Sequence, residues 1–396
     1  MKNIVFVDDE SNVLDGLRRM LYAYRNEWSM RFAASGSEAL RLLAEAPCDV
    51  IVTDMRMPGL SGAELLARVS QEYPEIIRIV LSGMCDRDQS LVSASAAHQF
   101  LPKPCDPSAL KSAVDRALAM HATLENGAVK SFISRLTSLP SMPVTYTQLV
   151  KAAADPEASV RQLGGIVGKD LAMTSKVLHL VNSSLFGLRR PVIDPGEACI
   201  YLGVDSIKTL VLSLGIFSQY RRIGVFSVEA LQTHSLRTAA FAKEIAISER
   251  MSKAAVDEVF LAGMLHDVGK LVLAMNLPKE YDDCMVRAGA ESIPVVDSEF
   301  RSFGITHAEI GRYLLRLWGL PDVVTDAVAF HHRLPEPAVR ILGPLAIVHV
   351  ANAMIGREEG RPAQDIDLSC LSLLGSMSKP HGWRQLGALV PAGATS

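Results

Sequence analysis

The chain has 396 residues, with 40 Lys plus Arg against 43 Asp plus Glu, a formal net charge of −3. A soft prior of about 150 residues per domain gives two or three domains with room for cores. Near neutrality removes any global electrostatic pull toward nucleic acid or anionic lipid. With 49% hydrophobic and 21% charged residues the chain is not mainly disordered. No apolar run nears the ~18 residues of a membrane span, and the opening MKNIVFVDDE lacks a signal-peptide layout. Six cysteines (48, 85, 105, 199, 284, 370) are scattered with no C-x-x-C. A cytoplasmic location with reduced thiols is the expectation.

Short apolar runs alternate with helical patterns over the first ~120 residues. Ile4–Val7 ends in Asp8-Asp9-Glu10, Val50–Val52 leads to Asp54, Ile76–Leu81 ends in Ser82-Gly83, and Gln99-Phe100-Leu101 leads to Pro102-Lys103-Pro104. Helical stretches such as 37–45 and 62–70 lie between them. Alternation of this kind predicts βα units on a parallel sheet. Asp106-Pro107 predicts a helix start, with Asp as cap and Pro at the first position. Asn126-Gly127 predicts its end. From 139 onward the pattern is almost wholly helical, with helices expected at 144–154, 171–181, 206–219, 229–248, 254–264, 307–318 and 339–355. The expected organisation is an α/β domain at 1–120, a helical linker at 121–138, an all-α domain at 139–378 and a loose tail at 379–396.

In an open parallel sheet the ligand site lies at the carboxyl ends of the strands. Asp8, Asp9 and Asp54 therefore converge, with Ser82 and Lys103 at the next two strand ends. Three carboxylates at one point repel and call for a cation, and hard oxygen ligands suit Mg²⁺. Lys103 would stabilise charge on a phosphoryl group that Asp54 accepts as nucleophile. Taken singly, each acidic residue reads as a solvated turn or a helix cap; the five in order do not.

The acidic pair, the DMRMPGLSG run from Asp54 to Gly62, the LSG at 81–83 and the LPKP at 101–104 resemble the receiver domain of two-component response regulators. The resemblance covers 1–120 and implies a doubly wound parallel five-stranded fold. It makes Asp54 the phosphoacceptor. It implies Mg²⁺ on Asp9, Asp54 and the Arg56 backbone carbonyl, with Asp8 acting through water. Ser82 and Lys103 would contact the phosphoryl group, and Ser82 and Phe100 would form the switch. It also implies a cis bond between Lys103 and Pro104.

A second constellation lies in the helical half. LHDVGK at 265–270 places His266 beside Asp267, with His234 upstream and His307, His331, His332 and His349 downstream. Imidazole and carboxylate together suit Fe, Mn, Zn or Ni. A bound metal would generate a nucleophilic water for a phosphodiester. Thr306-x-x-Glu309 predicts a capping box that starts a helix at His307. His349 sits among apolar residues and reads as core. Lys270 reads equally as a phosphate contact or a solvated helix end.

This pattern resembles the HD phosphohydrolase superfamily. The Gly-Tyr-Pro signature of the HD-GYP phosphodiesterases is absent after His331-His332, and Asn352 stands where the superfamily has its last aspartate ligand. LPSMP at 139–143, KDLAMTSKVLHLVNSSLFG at 169–187 and EACIYLGVDSIKTL at 197–210 resemble the HDOD branch, which is regarded mainly as a regulatory scaffold with degenerate metal sites. Here His234, His266, Asp267, His307, His331 and His332 all survive. Together the halves imply a response regulator whose Asp54 phosphorylation controls an HDOD protein-interaction module. The alternative is a phosphorylation-regulated metal-dependent phosphohydrolase acting on cyclic dinucleotides. The implied partners are a sensor histidine kinase, proteins of cyclic dinucleotide signalling and a second copy of the chain. Nucleic acid binding is not expected, because the chain has no basic recognition helix.

Overall fold

The computed structural model describes residues 1–73, 75–82, 97, 99–103, 107–123, 132, 139–140, 143–155, 157–182, 191–217, 222–335 and 343–361. The Asp106 cap, the Asn126-Gly127 helix end, the Lys103–Pro104 bond and the tail at 379–396 lie outside this set, as does nearly all of the 121–138 linker. Contacts divide the chain into two compact units. One comprises 1–142 with 269–284 and 299–321, the other 143–268 with 285–298 and 322–396.

In the first unit, β1 (Lys2–Val7), β2 (Trp28–Ala33), β3 (Val50–Asp54), β4 (Ile77–Ser82) and β5 (Gln99–Pro102) form a parallel sheet in the order β2-β1-β3-β4-β5. Ile4 to Val7 and Val50 to Thr53 are buried on both faces, as central parallel strands require. β2 was not located from the sequence. It alternates apolar and polar side chains over residues 28–32 at the sheet edge, where only its ends are fully buried, so no continuous apolar run marks it.

Helices α1 (Ser11–Leu21), α2 (Gly36–Glu45) and α3 (Gly62–Glu72) make crossovers, and α4 (Pro107–Thr123) follows β5. Side-chain caps start α2 and α3. The Ser35 side chain accepts from the Glu38 amide. Ser61 and Glu64 form a capping box that begins α3 just beyond Asp54. The strand order reverses between β1 and β3, so Asp8, Asp9 and Asp54 sit at the topological switch point.

The helices after residue 143 are α5 (Val144–Ala153), α6 (Val160–Gly168), α7 (Leu171–Val181), α8 (Pro195–Leu202), α9 (Val204–Phe217), α10 (Val228–Ser248), α11 (Lys253–Leu265), α12 (Val268–Asn276), α13 (Pro278–Glu291), α14 (Val295–Phe303), α15 (His307–Leu317), α16 (Asp322–Phe330) and α17 (Pro344–Glu358). A two-residue hairpin, β6 (Arg222–Ile223) with β7 (Phe226–Ser227), precedes α10. In the second unit α10, α11 and α17 share a core of Ala242, Ile245, Val259, Ile347, Val350 and Met354. Asn182, from the VNSS segment, exchanges two hydrogen bonds with the Val192 backbone, at 2.7 and 2.8 Å, and closes the loop between α7 and α8. The capping box predicted at Thr306 is present, with Glu309 as its partner.

Candidate functional site

At the end of β1, Asp8 is buried and its Oδ1 accepts from the Glu10 amide. At the end of β3, Asp54 Oδ1 accepts from the Met55 amide at 2.7 Å. Lys103, just past β5, brings its Nζ to 2.7 Å from Asp8 Oδ2 and 3.1 Å from Asp54 Oδ2. Burial alone would lower the Lys103 ammonium. Hydrogen bonds to Asp8 and Asp54, with their charges, outweigh it and hold it above the ordinary lysine value.

Asp8, Asp9 and Asp54 each offer a carboxylate oxygen within 4.8 Å of the others. This all-oxygen donor set fits a hard divalent cation such as Mg²⁺. Gly62 makes the approach possible: a Cβ there would lie 1.9 Å from the Asp54 carbonyl oxygen. Ser82 ends β4 opposite Pro102, and Phe100 pairs with Val80. The side chains of Ser82 and Phe100 lie outside the described residues.

The second cluster is built by the interior of α10 and the ends of α11 and α16. His234 projects from α10, His266 closes α11, and Asp267 occupies the turn before α12. His331 and His332 directly follow α16. His234, His266, Asp267 and His331 are at most 1% exposed. The ring protons can be assigned, because carbonyls and carboxylates only accept. His266 Nδ1 donates to the Gly263 carbonyl at 2.8 Å, and His331 Nδ1 donates to the Val328 carbonyl at 2.7 Å. His234 Nδ1 lies 2.8 Å from Glu359 Oε2. In neutral His266 and His331 this leaves the Nε2 lone pairs pointing inward, whereas His234 meets an acceptor at each ring nitrogen.

Those nitrogens converge with one carboxylate. His234 Nε2 and His266 Nε2 are 3.3 Å apart. Asp267 Oδ2 is 3.4 Å from His266 Nε2 and 3.7 Å from His234 Nε2. Bonds of about 2.1 Å around a tetrahedral ion set ligand atoms about 3.4 Å apart. The triangle therefore has the size of a metal's coordination face, and its nitrogen and oxygen donors fit Zn, Fe, Mn or Ni. Asp267 also turns Oδ1 toward His331 Nε2 at 3.5 Å. Asp267, His331 and His332 each offer an atom within 4.8 Å of the others.

Asn352 brings Oδ1 to 3.0 Å from His234 Nε2, so this neutral side chain faces the cluster. His349 is core, its Nδ1 donating to the His331 carbonyl. His307 belongs to the first unit. There the buried Glu299 carboxylate receives its backbone amide, its Nδ1 at 2.6 Å and the Tyr281 hydroxyl. Lys270 is only 7% exposed, which removes the solvated-end reading. Sequence reasoning missed Glu359. The signal was an acidic pair, Glu358-Glu359, at a helix C-terminus, where the helix dipole disfavours negative charge.

Among the described residues no helix is long and apolar enough to cross a membrane. The response regulator receiver domain model matches residues 4–115, and the HDOD domain model matches residues 139–334. An uncharacterized protein of Treponema pallidum is 26% identical over 245 residues, which are 61% of this chain and 47% of that protein. The hydrogenase transcriptional regulatory protein HoxA of Cupriavidus necator is 38% identical over 117 residues, 29% of this chain and 24% of its own length. The chain thus spans about half and about a quarter of these two relatives. Among solved structures, an HDOD domain protein of unknown function from Geobacter sulfurreducens aligns with a TM-score of 0.54 at 25% identity, covering 66% of this chain and 92% of that one. With the parallel sheet and its acidic pocket at one end of the sequence and the helical histidine cluster at the other, the chain joins an N-terminal response regulator receiver domain to a C-terminal HDOD domain.

Proposed function

We propose that phosphorylation of Asp54 controls the HDOD domain as a protein-interaction output, the phosphoryl group coming from a sensor histidine kinase. The observation that carries this reading is the Lys103 ammonium shared between Asp8 and Asp54 at the switch point of the sheet. An Asp54 oxygen forms the bond to phosphorus as the donor's nitrogen–phosphorus bond breaks, the electron pair leaving with the nitrogen. Lys103 balances charge on the phosphoryl oxygens, and Ser82 donates to one of them. Asp9, Asp54 and the Arg56 carbonyl would hold Mg²⁺, with Asp8 acting through water, and the ion would neutralise the transferring group. Ser82 and Phe100 carry the change outward as the switch pair.

The reading includes a cytoplasmic location, a second copy of the chain and proteins of cyclic dinucleotide turnover as partners, and no nucleic acid. Phosphate incorporation from acetyl phosphate, separated by phosphate-affinity electrophoresis, is expected in wild type and absent in Asp54→Asn. Pull-downs with beryllofluoride-treated wild type and with Asp54→Asn that retrieve identical partners would sink the regulatory reading.

A specific observation favours a second reading, a metal-dependent phosphohydrolase acting on cyclic dinucleotides. Three Nε2 atoms, those of His266 and His331 with the ring proton committed on Nδ1, surround one buried carboxylate. We propose His234, His266, Asp267, His331 and His332 as ligands, with His307 tested beside them. Elemental analysis of protein purified without chelator should find a transition metal that the His266→Ala/Asp267→Ala variant lacks. Metal-free wild type would remove this reading and leave the scaffold.

A further inference from the structure

We infer that Glu359 is the positioning residue of the histidine cluster: it holds the ring proton of His234 on Nδ1 and so keeps Nε2 armed for a transition metal. This rests on the metal reading above and deepens it.

The C-terminal end of α17 breaks a rule of helix charge. Glu358 ends α17 and Glu359 caps it, where carbonyl dipoles make negative charge unfavourable. Local rules are broken where another requirement wins. Glu359 is only 20% exposed on its side chain. Its two oxygens are fully engaged. Oε2 lies 2.8 Å from His234 Nδ1 and 2.9 Å from an Arg361 guanidinium nitrogen. Oε1 accepts from Arg237 at 2.9 Å, and the same guanidinium reaches Glu358 at 2.7 Å.

The backbone explains how this anchor forms. Gly360 adopts φ +72°, a left-handed conformation that ends the helix. The Arg361 amide then bonds back to the Gly356 carbonyl, which returns the Arg361 side chain to the helix end. On α10, His234 and Arg237 are three residues apart and share one face, so both meet the same carboxylate.

The proton assignment follows from what can turn over. His234 lies between the charged Glu359 Oε2 at Nδ1 and, at Nε2, two neutral acceptors, Asn352 Oδ1 at 3.0 Å and His266 Nε2 at 3.3 Å. A neutral imidazole has one proton for the two. The carboxylate accepts in every orientation, whereas an amide rotates to present its NH₂ group. Nδ1 therefore keeps the proton, and the Asn352 amide turns its Nδ2 to the Nε2 lone pair. Glu359 holds the ring ready for a metal that displaces the amide. Carboxylate partners of this kind fix the tautomer of ligating histidines in general.

The test uses full-length protein with selectively ¹⁵N-labelled histidine, His234 being assigned from a His234→Gln spectrum. Metal-free wild type should report the His234 proton on Nδ1. In Glu359→Ala the proton should move to Nε2, where Asn352 Oδ1 accepts it. Glu359→Gln retains an acceptor and should keep the wild-type tautomer. In Zn²⁺ titrations against a chromophoric chelator, Glu359→Ala should bind about 10- to 100-fold more weakly than wild type, and Glu359→Gln within a few-fold of it. Should Glu359→Ala fold poorly by circular dichroism, an Arg237→Gln/Arg361→Gln variant keeps the carboxylate but frees it, and an intermediate tautomer ratio is expected. A His234 proton that stays on Nδ1 in Glu359→Ala overturns the inference. So does a Glu359→Gln spectrum that matches Glu359→Ala. If wild type takes no Zn²⁺ while the tautomer shifts as described, the metal reading falls and the role of Glu359 stands.

Discussion

Gly62→Ala tests the architecture of the acidic pocket through one methyl group. The added Cβ would lie 1.9 Å from the Asp54 carbonyl oxygen, 2.9 Å from its carbonyl carbon and 3.0 Å from Met55 Cα, all of them backbone atoms. The first contact is about 1.5 Å short of ordinary van der Waals separation. Neither side yields easily. Asp54 is paired with Leu81 in the sheet, and the Gly62 amide donates to the Met55 carbonyl at 3.0 Å. Overpacking costs about 1–3 kcal/mol, and a strained or broken hydrogen bond adds about 1 kcal/mol. The helix-propensity gain of Ala over Gly returns at most about 1 kcal/mol. The net loss is about 2–3 kcal/mol, or about 6–15 °C in the receiver's unfolding temperature.

Gly16→Ala is the matched control. Nothing lies within 4 Å of its Cβ, so this mid-helix substitution should stabilise by about 0.5–1 kcal/mol. Calorimetry of the full chain and phosphate uptake from acetyl phosphate read both variants. A Gly62→Ala protein that unfolds at the wild-type temperature and takes up phosphate at the wild-type rate would refute the reasoning.

Three further outcomes follow from the same geometry. Gly164→Ala would place a Cβ 2.3 Å from Gly196 Cα, where α6 crosses α8, and should destabilise the HDOD domain by about 2–4 kcal/mol in urea unfolding; an unchanged midpoint contradicts the close crossing. Burial pushes the Cys48 thiol up to about 12, so in native protein it should resist iodoacetamide at pH 8 and react once unfolded, as peptide mass spectrometry would read. Lys103 is held above the ordinary lysine value of 10.5, so its pairing contributes full stability below that pH and loses it as pH rises through the folded value. The stability difference between wild type and Lys103→Met should therefore be flat from pH 6 to 9 and shrink above about 10.5; a difference that grows with alkalinity would reverse the sign.

The sequence by itself determined which residues stand at the strand ends, and that an α/β half precedes an all-α one. Asp8, Asp9, Asp54 and Lys103 each follow a short apolar run, and a parallel sheet gathers strand ends whatever the rest of the chain does. Helix starts were equally legible wherever a side chain caps its own backbone, as at Ser61 and Thr306. The edge strand β2 was not, because an edge needs no continuous apolar run. Tertiary structure alone decided the histidine cluster's geometry. His234 and His266 are 32 residues apart, and only the packing of α10 against α11 brings their Nε2 atoms to 3.3 Å. Likewise Glu359 reaches His234 across 125 residues because α17 crosses α10 and Gly360 turns the chain. Local spacing encodes which atoms could bind; the crossing of distant helices decides which of them meet, and which nitrogen of each ring faces in.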